Sequence, residues 1–289
     1  METKTINKIG IVYAGCASKS VAQLSFANQI IEKIGYDKLS CVSGSSLGCL
    51  NAYACGVEAM NELLNYYGSF RYSRLISLNK KSRKVFIKEL TEFVTEKPYK
   101  APTYISCTEL FSLKSHYYCL NNMPLSHQKA VLKMSSGFPL VVGPQLFNHY
   151  LYLSGSVSDN YPILPMLDEN LDMIIILHAN PKYYPPLKLY KKMKNTIIID
   201  VDISLNLPKG IKSFSVSKEA FEDMIHYGSI DGKNFADYIF SDFDYENVKD
   251  RCYTYVLENL NLRSEKNNDV LLNCYNALNI LYDMKESVV

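Results

Sequence analysis

The pentapeptide Gly44-Ser45-Ser46-Leu47-Gly48 constrains this chain more than any other feature. It stands between a short apolar run, Leu39 to Val42, and a helix-like stretch from Leu47 toward Ala54 that stops at Gly56. A serine held at a sharp strand-to-helix turn takes strained backbone angles, so the positions two residues to either side must lack bulk. Gly44 and Gly48 meet that need. The start of the following helix offers amide donors and the positive end of a dipole, both suited to a developing oxyanion. Ser46 is therefore the candidate nucleophile, with a Gly/Ser-rich turn devoid of chemistry as the plain alternative.

The same strand-turn-helix pattern occurs once before. Ile9 to Ala14 is an apolar run closed by Gly15, and Val21 to Ile34 carries apolar residues at mostly helical spacing with Gly35 as its stop. Between them, Gly15-Cys16-Ala17-Ser18-Lys19 sets consecutive amides after a strand and before a helix, the form of an anion-binding nest. An ordinary βα turn is the bland reading of that segment. Further strands are predicted at Thr103 to Cys107, His116 to Leu120, Tyr150 to Leu153, Met173 to Leu177 and Thr196 to Val201. Helices are predicted at Met60 to Phe70, Arg83 to Val94, Lys218 to Tyr227, Lys233 to Phe240, Asn247 to Leu260 and Val270 to Met284. Strands separated by helices predict an α/β fold with a mainly parallel sheet covered on both faces, followed by a helical C-terminal part over about 218–289. Nothing along the 289 residues reads as a repeat or a linker, so one domain over 1–289 is expected.

Composition excludes several classes. A formal charge of +2 is too mild for the clustered basic face of a nucleic-acid-binding protein. The eight cysteines lie in apolar stretches with no CxxC pair, so they read as small buried hydrophobes in a reducing compartment rather than metal ligands. Met1 to Lys8 is polar and leads straight into a strand, without an apolar leader, and no run approaches the ~18 apolar residues of a membrane helix. A cytoplasmic protein is expected. Lys80, Lys81, Arg83 and Lys84 form a local basic cluster, read either as a solvated helix start or as a contact with anionic lipid headgroups. The sequence carries no mark of oligomeric state.

Three blocks in order, IVYAGCASKSVAQ, VSGSSLGCLNAYACG and MSSGFPL…YLYLSGSVSDNYPI, resemble those of the patatin-like phospholipases over roughly residues 9–165. The resemblance implies a patatin-type α/β fold and a Ser-Asp dyad that needs neither cofactor nor metal. It also implies hydrolysis of acyl esters of phospholipids or other lipids. Carried across by position, it puts Ser46 on the nucleophile. Gly15, Cys16 and Ala17 fall on the oxyanion loop, with Lys19 on its basic position. The block whose Asp is the family's base falls on Ser154-Gly155-Ser156, so the base slot holds Ser154.

A serine hydroxyl is a far weaker base than a carboxylate at neutral pH. Asp159 and His149 are the substitutes the sequence offers, although Asp159-Asn160-Tyr161-Pro162 reads as a loop exit where Asp and Asn are common for structural reasons. His116, His127, His178 and His226 complete the histidine set. Two readings follow. The chain is a serine acyl hydrolase working through Ser46 with an unorthodox base, or it is an impaired relative that binds lipid, acyl groups or a protein partner.

Overall fold

The computed structural model describes residues 4–69, 92–136, 143–183, 185–215 and 217–267. The Lys80 to Lys84 cluster, most of the helix expected over 83–94, the one expected over 270–284 and Cys274 lie outside the described residues.

Eight strands build one mixed sheet among the described residues. They are β1 (Ile9–Tyr13), β2 (Leu39–Gly44), β3 (Thr103–Glu109), β4 (Ser115–Cys119), β5 (Gln145–Phe147), β6 (Tyr150–Ser154), β7 (Met173–His178) and β8 (Ile197–Asp202). Strands β3, β2, β1, β7 and β8 run parallel in that order, and β4, β5 and β6 join antiparallel beyond them. The parallel centre follows from composition. Strands β1, β7 and β8 are near-continuous apolar runs buried at every position, as a strand covered on both faces must be.

Alternation divides those residues between two cores. Ile9, Ile11 and Tyr13 of β1, with Ile175 and Leu177 of β7, face the larger core. That core is closed by helices α1 (Ser20–Ile34), α2 (Gly48–Gly56), α3 (Met60–Ser69) and α4 (Leu125–Ser136). Val12, Ile174, Ile176 and Ile198 face the smaller one, covered in part by Leu189 and Tyr190 of α5 (Leu187–Lys192). The C-terminal part is helical, with α6 (Lys218–Ile239) and α7 (Tyr245–Asn267).

Helix α6 corrects the sequence reading. Two helices broken near Gly228 were expected, and one continuous helix forms. Its glycines mark a close approach rather than a stop: a side chain on Gly228 would meet the Ala22 carbonyl oxygen at 2.6 Å, and one on Gly232 the Phe26 carbonyl oxygen at 2.5 Å. The backbones of α6 and α1 therefore touch where only glycine fits. Elements α4, α5 and β5 went unread, because α4 buries few apolar residues and the other two are short. Among the described residues no helix is long and apolar enough to cross a membrane. No disulfide joins the described cysteines, five of which are buried while Cys16 and Cys119 are partly exposed.

Candidate active site

The carboxyl ends of β1, β2, β7 and β8 converge where open α/β sheets bind ligands. Ser46 sits there between β2 and α2 with a φ of 51°, the left-handed region that costs a non-glycine residue roughly 1–2 kcal/mol. Its neighbours enforce the turn. A side chain on Gly44 would meet the Gly48 carbonyl oxygen at 2.5 Å, and one on Gly48 would run into the Tyr13 carbonyl. The Ser45 amide donates to the Tyr13 oxygen at 3.1 Å and ties the elbow to β1.

Ser46 is 7% exposed and opens on a cleft of roughly 210 Å³. Gly15, Cys16 and Ala17 line the same cleft, with Ser156, Tyr161, Asn180 and Ser213 among the other walls. The structure thus brings the elbow and the first-strand loop together. Among the described residues the Ser46 hydroxyl has no side-chain hydrogen-bond partner.

The loop amides divide by role. The Gly15 N–H donates to Asn160 Oδ1 at 3.0 Å while Asn160 Nδ2 donates to the Gly15 carbonyl at 3.1 Å, so this asparagine grips the loop from both sides. Glycine is required there, since a side chain would meet Ser46 Cβ at 2.6 Å. The N–H groups of Cys16 and Ala17 remain for an oxyanion, with no backbone acceptor described for either. Cys16 has an ordinary φ of −135°, but Ala17 stands at +52°, so of these two residues only Ala17 strains the backbone. The Cys16 thiol is pushed up to about 12, chiefly by burial and against the Ser20 hydrogen bond and the Lys19 charge. It stays protonated near neutral pH and is no nucleophile.

Ser154 ends β6, and the sheet explains its position. Strand β4 takes one edge of β3 from Tyr104 to Thr108, so β2 and β6 share the other edge in succession. Gly44 pairs with Ile105 and Ser154 with Cys107, which puts Ser154 two residues, roughly 7 Å, farther along β3 than the end of the elbow strand. Its side chain is fully buried. The hydroxyl donates to the Ser135 carbonyl at 2.8 Å and lies 3.0 Å from Ser156 Oγ.

The substitutes are occupied elsewhere. Asp159 accepts the Tyr117 hydroxyl at 2.7 Å and the Tyr161 amide at 3.0 Å, and it is not among the residues lining the cleft. His149 belongs to the turn between β5 and β6, at the far end of β6 from Ser154. His178 is buried with Nε2 3.3 Å from Asp200 Oδ2 and Nδ1 accepting the Asn180 amide at 3.1 Å. His116 pairs with Glu109, and His127 and His226 sit against the rings of Phe147 and Tyr227.

Sequence reasoning missed two residues at this site. Asn160 is one; its only signal was an Asn in the loop of the third block. The other is Asp202, buried at the end of β8, where Oδ1 accepts from the Ser204 amide and hydroxyl and Oδ2 has no hydrogen-bond partner among the described residues. The Asp202 charge helps to raise the Cys16 thiol and the Tyr161 hydroxyl. It lies three strands from β2, roughly 14 Å across the sheet, too far to take a proton from Ser46 directly.

No family model matches this sequence, and no curated protein does. Solved structures similar to it include VipD from Legionella pneumophila, with a TM-score of 0.48 and 11% identity over 98% of this chain and 80% of that one. Another is the type III effector protein ExoU, with a TM-score of 0.39 and 11% identity over 97% of this chain and 63% of that one, so this chain spans less than two thirds of its length. At such identity neither bears on the chemistry of the cleft.

Proposed function

We propose that residues 1–289 form one patatin-like lipid acyl hydrolase unit in which the nucleophile position, Ser46, is kept and its proton acceptor is lost. The cleft then holds an acyl ester of a lipid with its carbonyl against the amides of Cys16 and Ala17 and turns it over very slowly. The observation that carries this reading is the Ser154 hydroxyl, which fills the base slot and spends its proton on the Ser135 carbonyl at 2.8 Å. A group that already donates there has no carboxylate's capacity to take the Ser46 proton, and among the described residues no other base is bonded to Ser46. Removing one member of a coupled nucleophile-base set costs about four to six orders of magnitude in turnover.

The competing reading, an active hydrolase with an unorthodox base, is favoured by the strained Ser46 itself, which opens on the cleft, since such strain clusters at working sites. An organophosphonate separates them. Intact-mass measurement after prolonged incubation is expected to show labelling of the wild type no greater than of Ser46→Ala. Fast, stoichiometric modification confined to Ser46 would establish the active hydrolase instead.

A further inference from the structure

Three lysines stand close in sequence to walls of the Ser46 cleft. Lys19 lies two residues beyond Ala17, Lys182 two beyond Asn180, and Lys212 next to Ser213, each of those neighbours being a cleft wall. The segment bearing Lys212 is docked on the oxyanion loop, for Ser18 donates through its amide at 3.0 Å and its hydroxyl at 2.9 Å to the Ser213 carbonyl. Lys182 is fixed likewise, its amide donating to Asn180 Oδ1 at 3.1 Å. None of the three lysines has a carboxylate partner among the described residues, although eight other lysines there pair with one. Among the described residues no carboxylate lines the cleft.

Exposed apolar side chains also adjoin cleft walls in sequence. Phe214, beside Ser213, is 67% exposed, and Val157, beside Ser156, is 46% exposed. Unpaired lysines with an exposed aromatic around one opening form the pattern of a surface that meets anionic headgroups while an apolar group enters the acyl region. The geometry points to the cleft rim, Lys19, Lys182 and Lys212 with Phe214, as a docking surface for a negatively charged lipid bilayer. This places the cleft mouth against the membrane face, so an acyl ester reaches Ser46 without crossing water. The inference rests on the acyl-ester reading for what enters the cleft, but docking itself needs no turnover.

Co-sedimentation of the full chain with vesicles tests it, comparing phosphatidylcholine alone with a mixture in which about one lipid in three is phosphatidylglycerol. Binding to the anionic vesicles alone, falling as salt is raised, is the expected result. The Lys182→Gln/Lys212→Gln pair is expected to weaken that binding about thirty-fold, two lysines' share of the surface attraction. The pair Lys192→Gln/Lys194→Gln, exposed at the opposite end of the sheet before β8, is expected to leave it within a factor of two or so. Equal binding to both vesicle types, or equal losses in the two variant pairs, would overturn the assignment. Since the readout is binding, a chain that docks as expected yet hydrolyses freely would sink the impaired-hydrolase reading and leave the docking surface standing.

Discussion

Ser154→Asp is expected to raise the ester hydrolysis rate by about two to four orders of magnitude, the usual contribution of a positioned general base. The slot is shaped for the gain. Ser154 stands just past the elbow on the shared edge of β3, and Ser156 Oγ, 3.0 Å away, is placed to donate to a new carboxylate. Burial favours the neutral acid and so lifts the carboxyl toward the working range of a base. The change also has a cost. The Ser135 carbonyl loses its donor and faces a negative charge, which is expected to lower stability by roughly 1–3 kcal/mol. The measurement is the initial rate on a short-chain p-nitrophenyl ester, with Ser46→Ala in the same background as the zero. A folded Ser154→Asp protein no faster than its Ser46→Ala partner would mean that the base slot lies elsewhere.

The largest expected stability effect is at the other end of the chain. Arg263 on α7 reaches Asp200 on β8 at 2.6 Å, and both are 4% exposed. Burial alone would raise the Asp200 carboxyl, but the Arg263 charge and the His178 contact overcome it and hold it down to about 2. Arg263→Met leaves that carboxylate buried with His178 at 3.3 Å as its one remaining charged partner among the described residues, and a loss of about 3–5 kcal/mol is expected in chemical denaturation near neutral pH. The pH dependence has a definite sign. A carboxyl with a depressed folded pKa stabilises fully above its unfolded value of about 3.9, and that contribution fades as pH falls toward 2. The gap between wild type and variant should therefore narrow below about pH 4, and a gap that stays constant with pH would show that the pair's charge is not its source.

The parts of this molecule that depend on local chemistry were legible in its sequence. The elbow was readable because only glycine fits beside Ser46, and the buried parallel strands because Ile9 to Tyr13, Met173 to Leu177 and Ile197 to Ile199 are apolar runs. Block order alone put Ser154, rather than an Asp, on the position where the resemblance implies a base. What depended on partners distant in sequence was not. Gly228 and Gly232 looked like a helix break because nothing near them reveals α1 pressing on that face. The grip of Asn160 on Gly15 spans 145 positions, and the acceptor of the Ser154 hydroxyl, Ser135, belongs to a helix that went unread. Strain divided in the same way. Two non-glycine residues follow Gly15 in the first-strand loop, but only backbone geometry tells that Ala17 is strained and Cys16 is relaxed.

The central claim, a retained nucleophile without a base, is tested most directly by short-chain p-nitrophenyl ester hydrolysis. Wild type and Ser46→Ala would be purified in parallel and assayed at equal concentration. Equal, negligible rates are the predicted result. A wild-type rate that disappears in Ser46→Ala would contradict the account, because some group other than Ser154 would then be taking the Ser46 proton.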